Sequence, residues 1–445
     1  MAKYFGTDGV RGIANTELSA ELSLKLGAAS AFVLRRKHEG AKILIGRDPR
    51  ISGDILESAM ASGICSMGVD VHLAGVIPTP AVAFLAQSMH ADAGVVISAS
   101  HNPMRDNGIK FFGENGFKLP DEIESEIEQH VDAFDALPRP SGDGVGRMYR
   151  EHDLLDLYLD HLRRCFTHRL DGMNIVLDCA NGAAFEAAPR LFAELGADTT
   201  VINDQPNGIN INLNCGSLHT QSLKKLVIET GAPVGMAFDG DADRSILIDE
   251  KGRTVDGDHV MAICALHLAR QGRLPHNKVV ATVMSNIGLE IALKREGIEL
   301  LRTSVGDRYV SDELRRTGAT IGGEKSGHLI FTEYSTTGDG IVTALQVLNV
   351  MIETGKPLSE LVDQMVEFPQ ILINVPVRDK TGWETNPEIA ASIAAAESSL
   401  DGRGRVLVRA SGTERLIRVM AEGPDQTELE QIAAEVCTVI KHALG

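Results

Sequence analysis

The chain has 445 residues, enough for about three or four domains and for cores that need no disulfide staples. Apolar residues make up 43% and charged residues 23%, which excludes a disordered or fibrous class, and the 4% aromatic content argues against a base-stacking nucleic-acid surface. A net charge of −18, from 43 basic and 61 acidic residues, opposes duplex binding, although a locally basic cleft can still draw small anions into an acidic protein.

The six cysteines, Cys65, Cys165, Cys179, Cys215, Cys264 and Cys437, lie far apart without a C-x-x-C pair, which fits a reducing compartment. The first residues contain no apolar signal-like run, and no stretch of about 18 apolar residues occurs anywhere. A soluble cytoplasmic protein is expected, with neither membrane nor nucleic acid as partner.

In chain order, "FGTDGVRG" (5–12) comes first, a glycine-bearing loop with Arg11 in it. "KILIGRD" (42–48), a helix opened by Ser52 and stopped at Gly68, and "VDVHLAG" read as strand, helix, strand. The same grammar returns from "MNIVLDCANG" to Gly196 and "ADTTVIN", and from "NKVVATVMSN" to Gly297 and "IELLRTS". Three related α/β domains follow from the three copies, each a sheet with parallel strands packed by helices.

Within the first copy, the apolar run Val95 to Ile97 breaks at "SASHNP", placing Ser100 on a loop at a strand end. Ser, Asn and Pro also make an ordinary turn. His101 beside Ser100 invites a serine-hydrolase reading, but adjacent side chains of an extended segment point apart and no G-x-S-x-G is present. Ile123, Ile127, Val131 and Phe134 then have helical spacing on an acidic helix, and "LPRPSGDGVG" (137–146) reads as a linker.

"GMAFDGDADRSILIDEKG" sets Asp239, Asp241 and Asp243 alternately along an extended loop, where three converging carboxylates need a cation between them; oxygen ligands suit Mg²⁺. The spacing also fits an EF-hand with Glu250 at its end, but Arg244 stands where the turn glycine belongs and the flanks look like strands. "SVGDRYV" (304–310) adds another glycine loop, and "GGEKSGH" (322–328) has P-loop glycine spacing with His328 in the lysine position. Its Glu324, Ser326 and His328 can hydrogen-bond a hydroxyl-rich ligand.

The last 75 or so residues change character: a strand "ILINVPV", a helix near Pro387 to Ser399, two strands joined by "RASGTE" (409–414), and a helix from Gln426. That small α+β domain offers Arg409, Ser411, Gly412 and Thr413 as a phosphate cradle, with Arg418 assisting. The expected division is 1–150, 151–252, 253–367 and 368–445.

Five loops in order, "FGTDGVRG", "SASHNP", "DGDADR", "GEKSGH" and "RASGTE", make the chain resemble the α-D-phosphohexomutase superfamily along its whole length, and within it the members acting on glucosamine phosphates. The resemblance implies a four-domain α/β enzyme with mixed sheets around a central cleft, interconverting glucosamine 6-phosphate and glucosamine 1-phosphate on the bacterial route to UDP-N-acetylglucosamine and the cell wall. It implies that Ser100 is a phosphoserine and that Asp239, Asp241 and Asp243 hold one Mg²⁺ with its phosphate. Glucosamine 1,6-bisphosphate would be intermediate and activator. Arg244, Glu324, Ser326 and His328 would meet the sugar, and Arg409, Ser411, Gly412, Thr413 and Arg418 the distal phosphate. Arg11, Lys110 and His101 would surround the transfer, with Lys110 or His101 taking the proton and Lys110 needing a lowered pKa. A homodimer is compatible with the resemblance. Arg415 replaces the proline usual after "SGTE", which puts the stiffness of that loop in question.

Overall fold

The computed structural model describes residues 3–6, 8–35, 40–411 and 415–445. They divide into two compact units, Met1–Met284 with Ile298–Asp363, and Ser285–Gly297 with Gln364–Gly445.

The first unit contains three sheets. In the six-stranded sheet the order is Val10–Ile13, Asp106–Gly113, Ala93–Ile97, Lys42–Arg47, Asp70–Val76 and Met148–Arg150. The last four strands run parallel, and Asp106–Gly113 reverses against Ala93–Ile97. The core joins Ile43, Ile45, Val71 and Val95 to Leu26, Met60 and Ile64 of helices Ala20–Leu34 and Gly53–Cys65. Those helices meet backbone to backbone: a Cβ on Gly63 would lie 2.1 Å from the Leu24 carbonyl oxygen, and one on Gly27 2.4 Å from that of Met60. Helix Asp121–Asp132 buries Ile127 and Val131 and turns Asp121, Glu122, Glu126 and Asp132 outward. Residues 137–146 carry only a short 3₁₀ turn before the edge strand at 148.

The second sheet has the order Thr254–Val255, Ser245–Asp249, Val234–Phe238, Asn174–Asp178 and Asp198–Ile202. The third runs Glu299–Thr303, Lys278–Thr282, Ile321–Gly323 and Leu329–Phe331. Both repeat the first sheet's plan, with parallel neighbours and then a reversal, at Ser245–Asp249 and at Leu329–Phe331. Each strand-helix-strand copy read from the sequence is present, and Gly68, Gly196 and Gly297 all have positive φ just past a helix. The reversal fixes where chemistry can sit. "SASHNP", "DGDADR" and "GEKSGH" all span the turn from the end of one strand to its antiparallel neighbour, so three sheets present equivalent loops at equivalent edges.

The second unit is a three-stranded antiparallel sheet, Gln370–Pro376, Leu416–Glu422 and Arg405–Ala410, whose core is closed by helices Pro387–Leu400 and Gln426–Leu444. Helix Ile287–Arg295 belongs to it as well: the Asn286 side chain exchanges hydrogen bonds of 2.9 and 3.0 Å with the Phe368 backbone. No helix among the described residues is long and apolar enough to cross a membrane. The six cysteines are free thiols.

One buried carboxyl makes the first unit sensitive to pH. Asp339 caps helix Gly340–Thr354 through the Ile341 and Val342 amides and accepts from the Tyr158 hydroxyl at 2.7 Å. Burial raises its pKa to about 6 even against those donors. A carboxyl that holds its proton more tightly when folded adds stability below the ordinary carboxylate range, and that stability is lost as pH rises through about 6. Asn keeps the cap and cannot ionise. Asp339→Asn therefore gains on wild type by about 2 kcal/mol between pH 4 and pH 7, read as a growing difference in Tm; a difference independent of pH would contradict this.

Candidate active site

Ser100 closes the turn after strand Ala93–Ile97 with φ at 52°, a left-handed conformation that costs a non-glycine residue about 1–2 kcal/mol. Its amide donates to Ser98 Oγ at 2.9 Å, and its carbonyl accepts from Arg50 Nη2 at 2.9 Å and Asn212 Nδ2 at 2.8 Å. The hydroxyl donates to Asp239 Oδ2 at 2.5 Å and lies 3.2 Å from His101 Nδ1. The expectation that Ser100 and His101 diverge is thereby corrected: it assumed extended backbone, and the left-handed turn swings the two side chains together.

The aspartate loop is likewise a tight turn and not an extended one. Ala242 has φ at 59° and donates its amide to the Asp239 carbonyl at 3.1 Å. The three carboxylates converge all the same, with one oxygen from each of Asp239, Asp241 and Asp243 within 4.8 Å of the others, all buried. The flanking strands dispose of the EF-hand alternative. A Cβ on Gly240 would stand 2.4 Å from the Ser100 carbonyl oxygen, so the two loops touch along their backbones.

Electrostatics at this cluster run in opposite directions. Burial, then Asp243 and Asp241, push the Asp239 pKa well above the carboxylate range. Asp241 is buried too, yet Lys110 Nζ at 3.1 Å and Thr79 Oγ1 at 2.7 Å hold it well below. Oδ1 of Asp241 and Oδ1 of Asp243 are buried with no hydrogen-bond partner. Orphaned carboxylate oxygens in a compact buried trio are the donor set of a hard divalent cation, and the cluster fits one.

Lys110 departs from expectation. Burial alone would lower its pKa, but the carboxylates of Asp241, Asp8 and Asp243 surround Nζ at 3.1, 3.2 and 3.5 Å and together hold it well above the ordinary lysine value. Arg11 instead pairs with Asp8 and opposes Lys110 only weakly. His101 goes the other way, to about 4, through burial and then Arg244 and Arg11, and is neutral at pH 7.

The turn at 324–328 is tied to the aspartate loop. Arg244 and His328 form a backbone bridge, and the Ser245 amide donates to the Gly327 carbonyl at 3.2 Å. Arg244 lies beside Asp243, with Nε 3.7 Å from its carboxylate. Glu324 accepts from the Gly306 amide at 3.0 Å and Ser326 Oγ lies 3.5 Å from Glu324. His328 is buried 4.0 Å from Asp243 and 3.8 Å from Asp307, with neither ring nitrogen hydrogen-bonded. A cavity of about 280 Å³ opens here, lined by Lys118, Asp307, Arg308, Arg315, His328 and Thr337.

In the second unit Arg409 and Arg418 stand directly opposite each other on adjacent strands. Burial and then Arg418 lower the Arg409 pKa, and an anion between the two guanidinium groups would relieve their repulsion. Ser411 is buried, donates its amide to the Leu416 carbonyl at 2.9 Å and receives Lys380 on its own carbonyl. Gly412 and Thr413 lie outside the described residues. Arg415, in place of the proline, is held through its carbonyl by the Val377 amide at 3.0 Å.

Several polar residues went unread in the sequence. Thr79 in "IPTPA" looks like a helix start, yet both its amide and its hydroxyl bond Asp241. Asp8 sat unnoticed beside Arg11. Lys118 is half-buried between Asp8 and Asp307 with no local signal at all.

The chain matches four family domains: phosphoglucomutase/phosphomannomutase alpha/beta/alpha domain I over residues 2–137, domain II over 156–252, domain III over 256–368, and the C-terminal domain over 372–439. It belongs to the phosphoglucomutase/phosphomannomutase family. Among its relatives, the phosphoglucosamine mutase of Desulforamulus reducens is 54% identical over 441 residues, covering 99% of each chain. That of Syntrophotalea carbinolica is 53% identical over 449 residues, covering 100% of this chain and 98% of the relative. A crystal structure of a phosphoglucomutase/phosphomannomutase family protein from Burkholderia thailandensis superposes with a TM-score of 0.82 at 25% identity, over 100% of this chain and 98% of the other. The N-acetylphosphoglucosamine mutase of Aspergillus fumigatus, solved with GlcNAc-6P and magnesium, shares the fold with a TM-score of 0.71 at 18% identity, over 100% and 96%.

A cation that binds only the folded cluster must raise its stability. Saturating Mg²⁺ or Mn²⁺ is expected to raise the wild-type Tm by a few degrees and to leave Asp239→Asn and Asp243→Asn unmoved. An unchanged wild-type Tm, or equal shifts in all three proteins, would contradict the assignment.

Proposed function

We propose that the protein interconverts glucosamine 6-phosphate and glucosamine 1-phosphate, carrying the phosphoryl group on Ser100 and passing through glucosamine 1,6-bisphosphate. The observation that carries this reading is the 2.5 Å contact of Ser100 Oγ with Asp239 inside the buried carboxylate trio. The choice of amino sugar is supported by relatives more than 50% identical over nearly their whole length.

Asp239, Asp241 and Asp243 would hold one Mg²⁺. When bound, it supplies charge neutralisation for phosphoryl oxygens, the principal demand of phosphoryl transfer. The chain's own groups do the rest. Lys110, whose pKa its carboxylate neighbours raise, sets a cation beside the trio. His101, neutral and 3.2 Å from Ser100 Oγ, is the group placed to pass the attacking sugar hydroxyl's proton to that oxygen as the phosphoryl group leaves, and to return it in the reverse step. Arg11 adds a second cation beside Asp8. Glu324, Ser326, His328 and Arg244 meet the sugar ring. Arg409, Arg418, Ser411, Gly412 and Thr413 grip the phosphate not in transfer, and the same cradle takes either phosphate once the bisphosphate has turned end for end.

In this reading the chain comprises 1–150 with the phosphoserine loop, 151–252 with the metal loop, 253–367 with the sugar loop and 368–445 with the phosphate loop. The free cysteines support a cytoplasmic setting.

Two measurements test the proposal. Ser100→Ala should lose at least about 1,000-fold in kcat with an unchanged Tm, and intact-mass analysis of wild type should find one phosphate absent from the variant. Wild-type turnover by Ser100→Ala would end the phosphoserine mechanism. In a coupled assay, kcat/KM for glucosamine 6-phosphate should exceed that for glucose 6-phosphate by about tenfold or more; the reverse order would move the protein to the neutral-sugar mutases.

A further inference from the structure

Nothing in its sequence context marks Arg50, yet it is the largest fully buried side chain among the described residues. A guanidinium has five N–H donors. Here all five are used on one task. Nε donates to Asp48 Oδ2 at 2.8 Å; Nη1 donates to the carbonyls of Pro103 at 2.5 Å and Asp106 at 3.0 Å; Nη2 donates to those of Ser100 at 2.9 Å and Asn102 at 2.8 Å. Four carbonyls of "SASHNPMRD" therefore converge on one cation.

Asp48, also fully buried, closes the arrangement. Its Oδ2 accepts from Ser98 Oγ at 2.6 Å, and Ser98 Oγ in turn accepts the Ser100 amide at 2.9 Å, while its Oδ1 accepts the Arg50 amide at 2.9 Å. Both backbone polar groups of Ser100 thus lead back to a single buried ion pair, one through Arg50 and one through Ser98. Asn212 Nδ2 adds bonds to the Ser100 and Asn102 carbonyls at 2.8 and 3.2 Å from the neighbouring sheet's loops. Of these residues only Ser100 hydrogen-bonds the carboxylate trio, through its hydroxyl.

We infer that Arg50 is a positioning residue of the phosphoryl transfer: with Asp48 and Ser98 it locks the left-handed turn at Ser100 and so aims Oγ at Asp239. This rests on the phosphoserine reading above. A buried cation at the centre of the turn, saturated by carbonyls, selects one arrangement of those carbonyls, because any other leaves a buried N–H or C=O without a partner. Lysine could supply the charge but only as a point, without the planar fork that reaches four oxygens at once.

The test uses Arg50→Lys and Ser98→Ala in the full-length protein, with kcat, KM for the sugar phosphate, Tm and Ser100 phosphate occupancy measured for each alongside wild type. Positioning predicts kcat down at least 100-fold in Arg50→Lys and about tenfold in Ser98→Ala, with KM within threefold of wild type, since neither residue touches the substrate loops. Adding guanidinium ion to Arg50→Ala should restore part of the kcat without changing KM. Ser98→Ala loses no charge, so it reports even if the Arg50 variants fold poorly. Wild-type kcat per folded molecule in Ser98→Ala, or an Arg50→Lys protein altered in Tm alone, would overturn the inference. Failure of the phosphoserine reading itself looks different: wild type would then carry no phosphate on Ser100.

Discussion

Three carboxylates held out of water within 4.8 Å of one another form the constraint on which the first unit depends. At that separation each pair of unit charges repels by about 4 kcal/mol in an effective dielectric near 20. The structure meets the repulsion in part. Asp239 is driven towards its protonated form, Lys110 presses its ammonium against Asp241 and Asp243, and Thr79 donates to Asp241. Two carboxylate oxygens remain with no hydrogen bond. What is left uncompensated is an affinity for a cation, placed against the hydroxyl of Ser100.

The architecture supplies that meeting three times over. Each sheet of the first unit reverses direction next to a parallel strand, and each reversal carries one of the loops with chemical character. A repeated unit has been given different side chains at one topological position: a hydroxyl in the first copy, carboxylates in the second, and a mixed polar turn in the third. The Ser100 and aspartate loops can approach closely because Gly240 stands at their contact, where any Cβ would collide with the Ser100 carbonyl. The turn bearing Glu324 and His328 is pinned to the aspartate loop by backbone pairing.

Much of this was legible from sequence because it is local. Alternation, helical spacing and glycine stops announced the three strand-helix-strand copies, and three aspartates at spacing two announced their convergence whichever way the loop turned. Left-handed backbone at Ser100 and Ala242 was not legible, since neither residue is a glycine or an asparagine and the stabilising bonds come from Arg50, Asn212 and the loop's own fold. The direction of the Lys110 pKa shift was not legible for a related reason. Its pKa is set by Asp8 and Asp241, one a hundred residues before it and the other more than a hundred after, whereas the sequence drew attention to Arg11. Thr79, Lys118 and Arg50 show the same limit: a single polar residue in an ordinary context acquires a role only when the fold brings a buried partner to it.

In the proposed function Ser100, once phosphorylated, shares one divalent ion with the three aspartates. Electron-nuclear double resonance on Mn²⁺ added to phosphorylated protein reads this directly. One bound Mn²⁺ is expected, with a ³¹P coupling from the Ser100 phosphate that is lost on dephosphorylation. A bound Mn²⁺ with no ³¹P coupling, or one that persists when all three aspartates are replaced by asparagine, would contradict it.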